Sequence, residues 1–220
     1  MSYQIAIDGP AGAGKSTIAK EIAKQLGFIY VDTGAMYRAM ALYLLRGEIP
    51  ADDSEKISAA SQKADITIAY KDGLQQVLLD GENVTAYLRT EEVGNMASVS
   101  SANPDVRKKL VELQQELASR ENVVMDGRDI GTCVLPDANV KIYLTASTAC
   151  RAKRRYDELT AKGETCDLAV IEADIEKRDH QDMTREHSPL RQAEDAVLLD
   201  SSDLTIQEVV EKILALVKMQ

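Results

Sequence analysis

Gly9-Pro10-Ala11-Gly12-Ala13-Gly14-Lys15-Ser16 is a complete G-x-x-x-x-G-K-[ST] sequence, and the residues around it leave few folds open. Before it, Tyr3 to Ile7 alternates as a strand does and runs into the turn Asp8-Gly9-Pro10. After it, Ser16 to Leu26 is apolar at Ile18, Ile22 and Leu26 and stops at Gly27, the pattern of an amphipathic helix with a glycine cap. Phe28 to Val31 is then short, apolar and β-rich. Strand, glycine loop, helix and strand make a βαβ unit. In that setting the glycines let successive backbone N–H groups curl around a phosphate, and the helix N-terminus adds its dipole. Lys15 is expected to reach the β- and γ-phosphates and Ser16 to ligate Mg²⁺, with Gly9 to Thr17 cradling ATP. A glycine turn that merely precedes Lys-Ser would need neither the strand before it nor the helix behind it.

The remaining chain continues the alternation with one interruption. A helical pattern follows Asp32-Thr33-Gly34 through Leu45. Between Ala64 and Leu88, Ile66 to Tyr70 alternates, Lys71-Asp72-Gly73 turns, Val77-Leu78-Leu79 follows and Asp80-Gly81 turns again, which predicts a small antiparallel meander inserted into the main fold. Asn103-Pro104 opens a helix that runs to about Arg120. Val123 to Met125, Val140 to Leu144 and Ala196 to Leu199 read as buried parallel strands, and Thr205 to Glu208 is a capping box before a last helix. The expected fold is α/β: a doubly wound five-stranded parallel sheet carrying the P-loop, with a small antiparallel β insertion and a helical lid.

Composition narrows the partners. Among 220 residues, 26 Lys and Arg face 36 Asp and Glu, and this net charge of −10 disfavours sequence-blind nucleic-acid binding. The longest apolar stretch, Ala39 to Leu45, is too short to span a membrane, and the N-terminus has no basic region before an apolar one. Cys133, Cys150 and Cys166 are odd in number and widely spaced, and only two histidines could help them bind metal. A disulfide framework and a zinc site are not expected; a reduced cytoplasmic protein, monomeric, is.

Arginines recur where a doubly wound sheet would form its ligand crevice. Arg38 lies one helical turn after Asp32-Thr33-Gly34, and Arg128-Asp129 follows the strand Val123 to Met125. A guanidinium suits a transferring phosphoryl group because its planar fork binds two oxygens and its charge does not titrate away. Arg151-Ala-Lys153-Arg154-Arg155 places four cations in five helical residues, ahead of a flexible exit at Ala161 to Glu164. Such a run fits a mobile lid that keeps water from the donor, and it also fits a solvated helix face. Arg178, Asp182 and Arg185 share one helix face, where they fit either a ligand site or an internal ion-pair ladder. No Asn-Lys-x-Asp guanine-recognition sequence is present, which weighs against a GTPase.

With these residues in place, the chain resembles the bacterial cytidylate (CMP/dCMP) kinases of the nucleoside monophosphate kinase group. The resemblance lies in IDGPAGAGKST ending at Thr17, DTGAMYRA at 32 to 39, RTEEV at 89 to 93 with Ser98 beyond it, MDGRDIGT at 125 to 132 and RD..D..R at 178 to 185. It also extends to the insertion from about Ala64 to Leu88. It implies that Thr33, Arg38, Arg107 and Arg128 hold the acceptor phosphate and neighbouring groups. Ser98, Arg107, Asp129 and Arg178 would surround the cytosine, Asp182 would bind the sugar hydroxyl, and Arg185 would reach towards the transferring phosphate. The ATP side would comprise Gly9, Pro10, Ala11, Gly12, Ala13, Gly14, Lys15, Ser16 and Thr17 with Arg151, Arg154 and Arg155, and Lys15, Arg128, Arg155 and Arg185 would offset charge during transfer. Ser16 stands where glycine is common, and Thr33 where serine is common; both substitutions keep or add a hydroxyl. The implied organisation is one kinase domain with a core (1–33, 104–148, 186–220), an acceptor-binding segment (34–103) and a lid with its following helix (149–185).

Cytosine presents an N4 donor beside N3 and O2 acceptors, whereas uracil reverses the first two. A carboxylate such as Asp129 and a guanidinium such as Arg178 therefore favour CMP and dCMP over UMP. The expected reaction is in-line transfer from Mg·ATP to CMP or dCMP. Another small acceptor (UMP, AMP or shikimate) and a nucleotide-binding switch are the competing readings.

Overall fold

The computed structural model describes residues 2–71 and 73–218; Asp72, in the expected turn Lys71-Asp72-Gly73, lies outside them. The chain forms two compact units. Val31–Glu121 makes most of the smaller one, and Tyr3–Tyr30 joins the chain from Asn122 onward in the larger.

The larger unit is built on the strands β1 (Gln4–Asp8), β6 (Val123–Gly127), β7 (Val140–Thr145) and β8 (Val197–Asp200), with β2 (Ile29–Asp32) beginning at its edge. The sheet has the order β2-β6-β1-β7-β8. Its pairs are parallel, with Asp8 opposite Gly127 and Tyr143, so the loops that follow β1, β6 and β7 leave the sheet at the same end. Val123 to Met125 are buried in succession, which explains why this part of β6 reads as a continuous apolar run rather than an alternating one. Helices α1 (Lys15–Leu26) and α8 (Ile206–Lys218) set Ile18, Ile22, Val210 and Ile213 against Ile5, Ile7, Ile142 and Leu144 to form the core. Gly27 ends α1 with φ +68° and returns its N–H to Ala23 O. The capping box of α8 is formed: Thr205 N–H donates to Glu208 Oε2 at 2.8 Å. Helices α6 (Thr148–Ala161) and α7 (Leu168–Thr184) pack together in this unit.

In the smaller unit, α2 (Thr33–Arg46) packs on α4 (Glu91–Ser100), and α3 (Ser54–Ser61) packs on α5 (Pro104–Arg120). The side-chain oxygen of Asn103 accepts from the backbone of Asp105 and Val106 at the start of α5, and its amide nitrogen donates to Ser54. The strands β3 (Ile66–Lys71), β4 (Leu74–Leu79) and β5 (Glu82–Asn83) form the antiparallel meander. This meander is joined to the element that carries Arg38: Gln75 Oε1 accepts from Asp32 N–H at 2.7 Å, and Gln75 Nε2 donates to Asp32 O at 3.3 Å. Helices α3 and α4 carry no strong sequence signal, because each is short and draws its apolar contacts from other elements.

Candidate active site

The phosphate loop takes its shape from backbone conformations open to glycine. Gly9 has φ +149°, and a Cβ there would lie 1.9 Å from Leu144 O of β7. Gly14 has φ +90° and leads directly into α1. Lys15 is buried, and its Nζ donates to Pro10 O at 2.8 Å, so the lysine lies folded over its own loop. Burial lowers its pKa, as does the neighbouring Arg128, against the pull of Asp126, Asp8 and Asp182. Ser16 Oγ donates to Asp126 Oδ2 at 3.0 Å, while Tyr30 Oη holds the other oxygen of Asp126 at 2.8 Å.

Arg128 leaves the end of β6 and donates from Nε to Asp182 Oδ2 of α7 at 2.8 Å. Arg185, just past the end of α7, has Nη2 3.7 Å from Asp129 Oδ1 and Nη1 3.9 Å from Asp182 Oδ1, and its Nε donates to Ser188 O at 2.7 Å. Asp129 and Arg185 have side chains only 6% and 9% exposed, so their charges interact with little screening by water. The larger unit thus brings Arg128, Asp129, Asp182 and Arg185 together, with Lys15 near enough to feel the charges of Arg128 and Asp182. Arg178, also on α7, is exposed. Asp182 and Arg185 interact at the helix end, and each also has a shorter contact beyond the helix, Asp182 with Arg128 and Arg185 with Ser188.

The basic run on α6 divides. Arg151 was expected at the ATP phosphates, yet its guanidinium is turned to protein: Nε donates to Ala146 O, Nη1 to Ala11 O of the phosphate loop, and Nη2 to Thr148 Oγ1 and Asp179 Oδ2. It is 4% exposed, and a buried guanidinium requires these acceptors; it braces the loop rather than pointing out of it. Arg154 donates to Ser201 O at 2.7 Å, with Nη1 4.0 Å from where a Cβ on Gly14 would sit. Lys153 with Asp157, and Arg155 with Glu158, are exposed pairs along the helix.

The smaller unit holds the other expected residues. Asp32 caps α2 by accepting from Ala35 N–H at 2.8 Å, and the same carboxylate lies 3.4 Å from Arg38 Nη2. Thr33 is buried beside it, and Gly34 leaves room: a Cβ there would approach Arg38 Nη1 to 3.3 Å. Arg107 on α5 is 5% exposed, donates to Ser101 O at 3.2 Å and stacks over the Tyr37 ring at 5.5 Å. Ser98 on α4 is half-buried.

The family model described as cytidylate kinase matches residues 5–219. The chain belongs to the cytidylate kinase family. It is 54% identical to the cytidylate kinase of Caldicellulosiruptor bescii over 96% of this chain and 94% of that one. It is 53% identical to that of Desulfitobacterium hafniense (98% and 92% covered) and 50% identical to that of Listeria monocytogenes (98% and 96%). Among solved structures, a shikimate kinase from Bacteroides thetaiotaomicron superposes with a TM-score of 0.51 at 12% identity over 98% of both chains, a likeness of fold. The chain is therefore a kinase of this family, which phosphorylates nucleoside monophosphates.

Three residues that touch the expected ones are not singled out by the sequence: Asp126 against Ser16 and Asp8 against the turn after Asp129 in the larger unit, and Tyr37 beneath Arg107 in the smaller. Asp126 follows the apolar run Val123 to Met125 within β6, and that pattern, a hydrophobic run that meets Asp, is the available signal. Asp8 and Tyr37 had none, because what singles them out is a partner distant in sequence or a ring beneath a guanidinium. Among the described residues no cluster of three or more metal-ligating side chains occurs, and no helix is long and apolar enough to cross a membrane. All three cysteines are free thiols.

Proposed function

We propose that this kinase transfers the γ-phosphoryl group of ATP in line to the α-phosphate oxygen of CMP or dCMP, releasing ADP and CDP or dCDP. The observation that carries the reading is a second set of ionised groups around a phosphate loop: Arg128, Asp129, Asp182 and Arg185, mostly buried and mutually paired. A nucleotide switch has no use for such a set; an enzyme that must hold a second nucleotide does.

The acceptor phosphate is already a charged nucleophile, so the protein has only to align it and neutralise charge. Lys15, Arg128 and Arg185 do this, joined by Arg155, whose exposed pairing to Glu158 is weak enough to exchange for phosphate. Gly9 to Thr17 and Arg154 hold the donor, with Arg151 bracing the loop beneath it. Thr33, Arg38, Arg107 and Arg128 bind the acceptor phosphate, Asp182 the sugar hydroxyl, and Ser98, Arg107, Asp129 and Arg178 the base. In this reading 34–103 serves as the acceptor-binding segment and 149–185 as the lid. Ser16 Oγ and the Asp126 carboxylate, 3.0 Å apart, are hard oxygen donors of the kind Mg²⁺ takes alongside phosphate and water oxygens. Bound there, Mg²⁺ would neutralise charge on the donor phosphates.

The test is ADP release with CMP, dCMP, UMP, AMP and shikimate side by side. Turnover that requires CMP or dCMP and is poor with UMP supports the proposal. Equal rates with CMP and UMP, or ADP release without any acceptor, would overturn it.

A further inference from the structure

We propose that Asp8 is a positioning residue for nucleotide selection: its carboxylate grips the backbone N–H groups of Ile130 and Gly131 and so fixes the turn that presents Arg128 and Asp129. The proposal rests on the reading above that Asp129 faces the base. Ile130 N–H donates to Asp8 Oδ1 at 2.8 Å and Gly131 N–H to Asp8 Oδ2 at 2.7 Å, so each oxygen serves one amide.

Those two amides open a single turn of π-helix, Ile130–Val134. Its later amides find acceptors inside the turn: Cys133 and Val134 donate to Asp129 O, and Leu135 donates to Ile130 O. The first amides of any helical turn have no such internal partner, and here they are buried, where an unmet N–H is costly. Asp8 supplies both acceptors from another strand. Its own side chain is 5% exposed, and burial raises its pKa to about 6 while the two N–H bonds draw it down. The fit is close on the other side as well, since a Cβ on Gly131 would lie 3.4 Å from Asp8 Oδ2 and 3.2 Å from Lys141 Cδ.

The arrangement has a consequence for selectivity. Asp129 lies one residue before the clamped pair, and rotation of this turn would swing its carboxylate. Asp8 also immediately precedes Gly9, so one side chain ties the start of the donor loop to the turn that presents Asp129.

The test measures kcat and KM for CMP and for UMP in the full-length wild type, Asp8→Asn, Asp8→Glu, Asp129→Ala and the Asp8→Asn/Asp129→Ala double variant. Asp129→Ala should narrow the CMP:UMP ratio of kcat/KM about tenfold. Asp8→Asn keeps the shape but replaces one acceptor oxygen by a donor. It should narrow the ratio several-fold, raising KM for CMP more than it lowers kcat, and should add nothing to Asp129→Ala. Asp8→Glu keeps the charge on a longer arm and should narrow the ratio too, so it decides the matter if Asp8→Asn does not fold. An unchanged ratio in the Asp8 variants beside a narrowed one in Asp129→Ala overturns the positioning role. An unchanged ratio in Asp129→Ala overturns the base reading and, with it, the selection that the clamp serves. The clamp itself is read in wild-type protein by hydrogen exchange: the Ile130 and Gly131 amides should exchange as slowly as those of β1, and exchange at the rate of an open loop would overturn it.

Discussion

Arg151 Nη2 and Asp179 Oδ2 lie 2.7 Å apart, joining α6 to α7 with side chains only 5% and 13% exposed, and the same guanidinium reaches Ala11 O at 2.9 Å. A single buried cation therefore links two helices to the loop expected to hold the donor phosphates. Removing one member of a buried pair leaves the other charge without compensation, which is worse than never having had the pair. Arg151→Met should lower unfolding stability by about 3 kcal/mol, measured by the urea midpoint. A midpoint within error of wild type would mean that the pair holds nothing.

Replacing Gly9 tests the loop from the opposite side. A Cβ there would stand 1.9 Å from a backbone oxygen that belongs to the central sheet and cannot yield. Gly9→Ala should lose triphosphate binding and melt at a markedly lower temperature. Gly27→Ala is the control: its φ of +68° carries a left-handed cost of roughly 1 kcal/mol, but nothing lies within 4 Å and activity should survive. Equal melting temperatures in the two variants would show that conformation alone, and not the approach to Leu144, explains Gly9.

Lys15→Met should abolish ADP release while leaving the fold intact, because the lysine's only hydrogen bond described is to Pro10 O within its own loop. Near-wild-type turnover would refute the part given to the phosphate loop in catalysis.

Asp8 also makes a prediction about acid. Its pKa lies near 6 in the folded chain against an ordinary 3.8, so the fold binds this proton more tightly than the unfolded chain does. The sign follows from linkage: the group's contribution is fully present below pH 4 and is lost as pH rises through 6, a change of roughly 3 kcal/mol. The stability of wild type relative to Asp8→Asn should therefore fall between pH 4 and pH 6.5, followed by urea unfolding. A difference that stays flat or rises over that interval would contradict the burial penalty.

Much of the fold is legible in the sequence. The five parallel strands, α1 with its glycine cap, the meander and the capping box of α8 all lie close to where alternation, apolar runs and turn residues put them. Helices α3 and α4 were not legible, since neither has enough residues to show a period of its own. Of the candidate site, the residue types are legible: Lys15, Arg128 and Asp129 follow strand ends in recognisable motifs, and Asp182 and Arg185 stand out by their spacing along a helix. What each charge touches is not. The run at 151 to 155 looked uniform, yet Arg151 is sealed against Asp179 while Lys153 and Arg155 lie along the helix surface.

Sequence by itself determined the order of strands and helices and the presence of a phosphate loop, because backbone conformation and amphipathic period are properties of neighbouring residues. Tertiary structure alone decided the pairings: Ser16 with Asp126 across 110 residues, Arg128 with Asp182 across 54, and Asp8 with Ile130 across 122. The reason is physical. A buried ionised group must find a partner of opposite character wherever the chain brings one, and which one it meets depends on how the strands and helices pack.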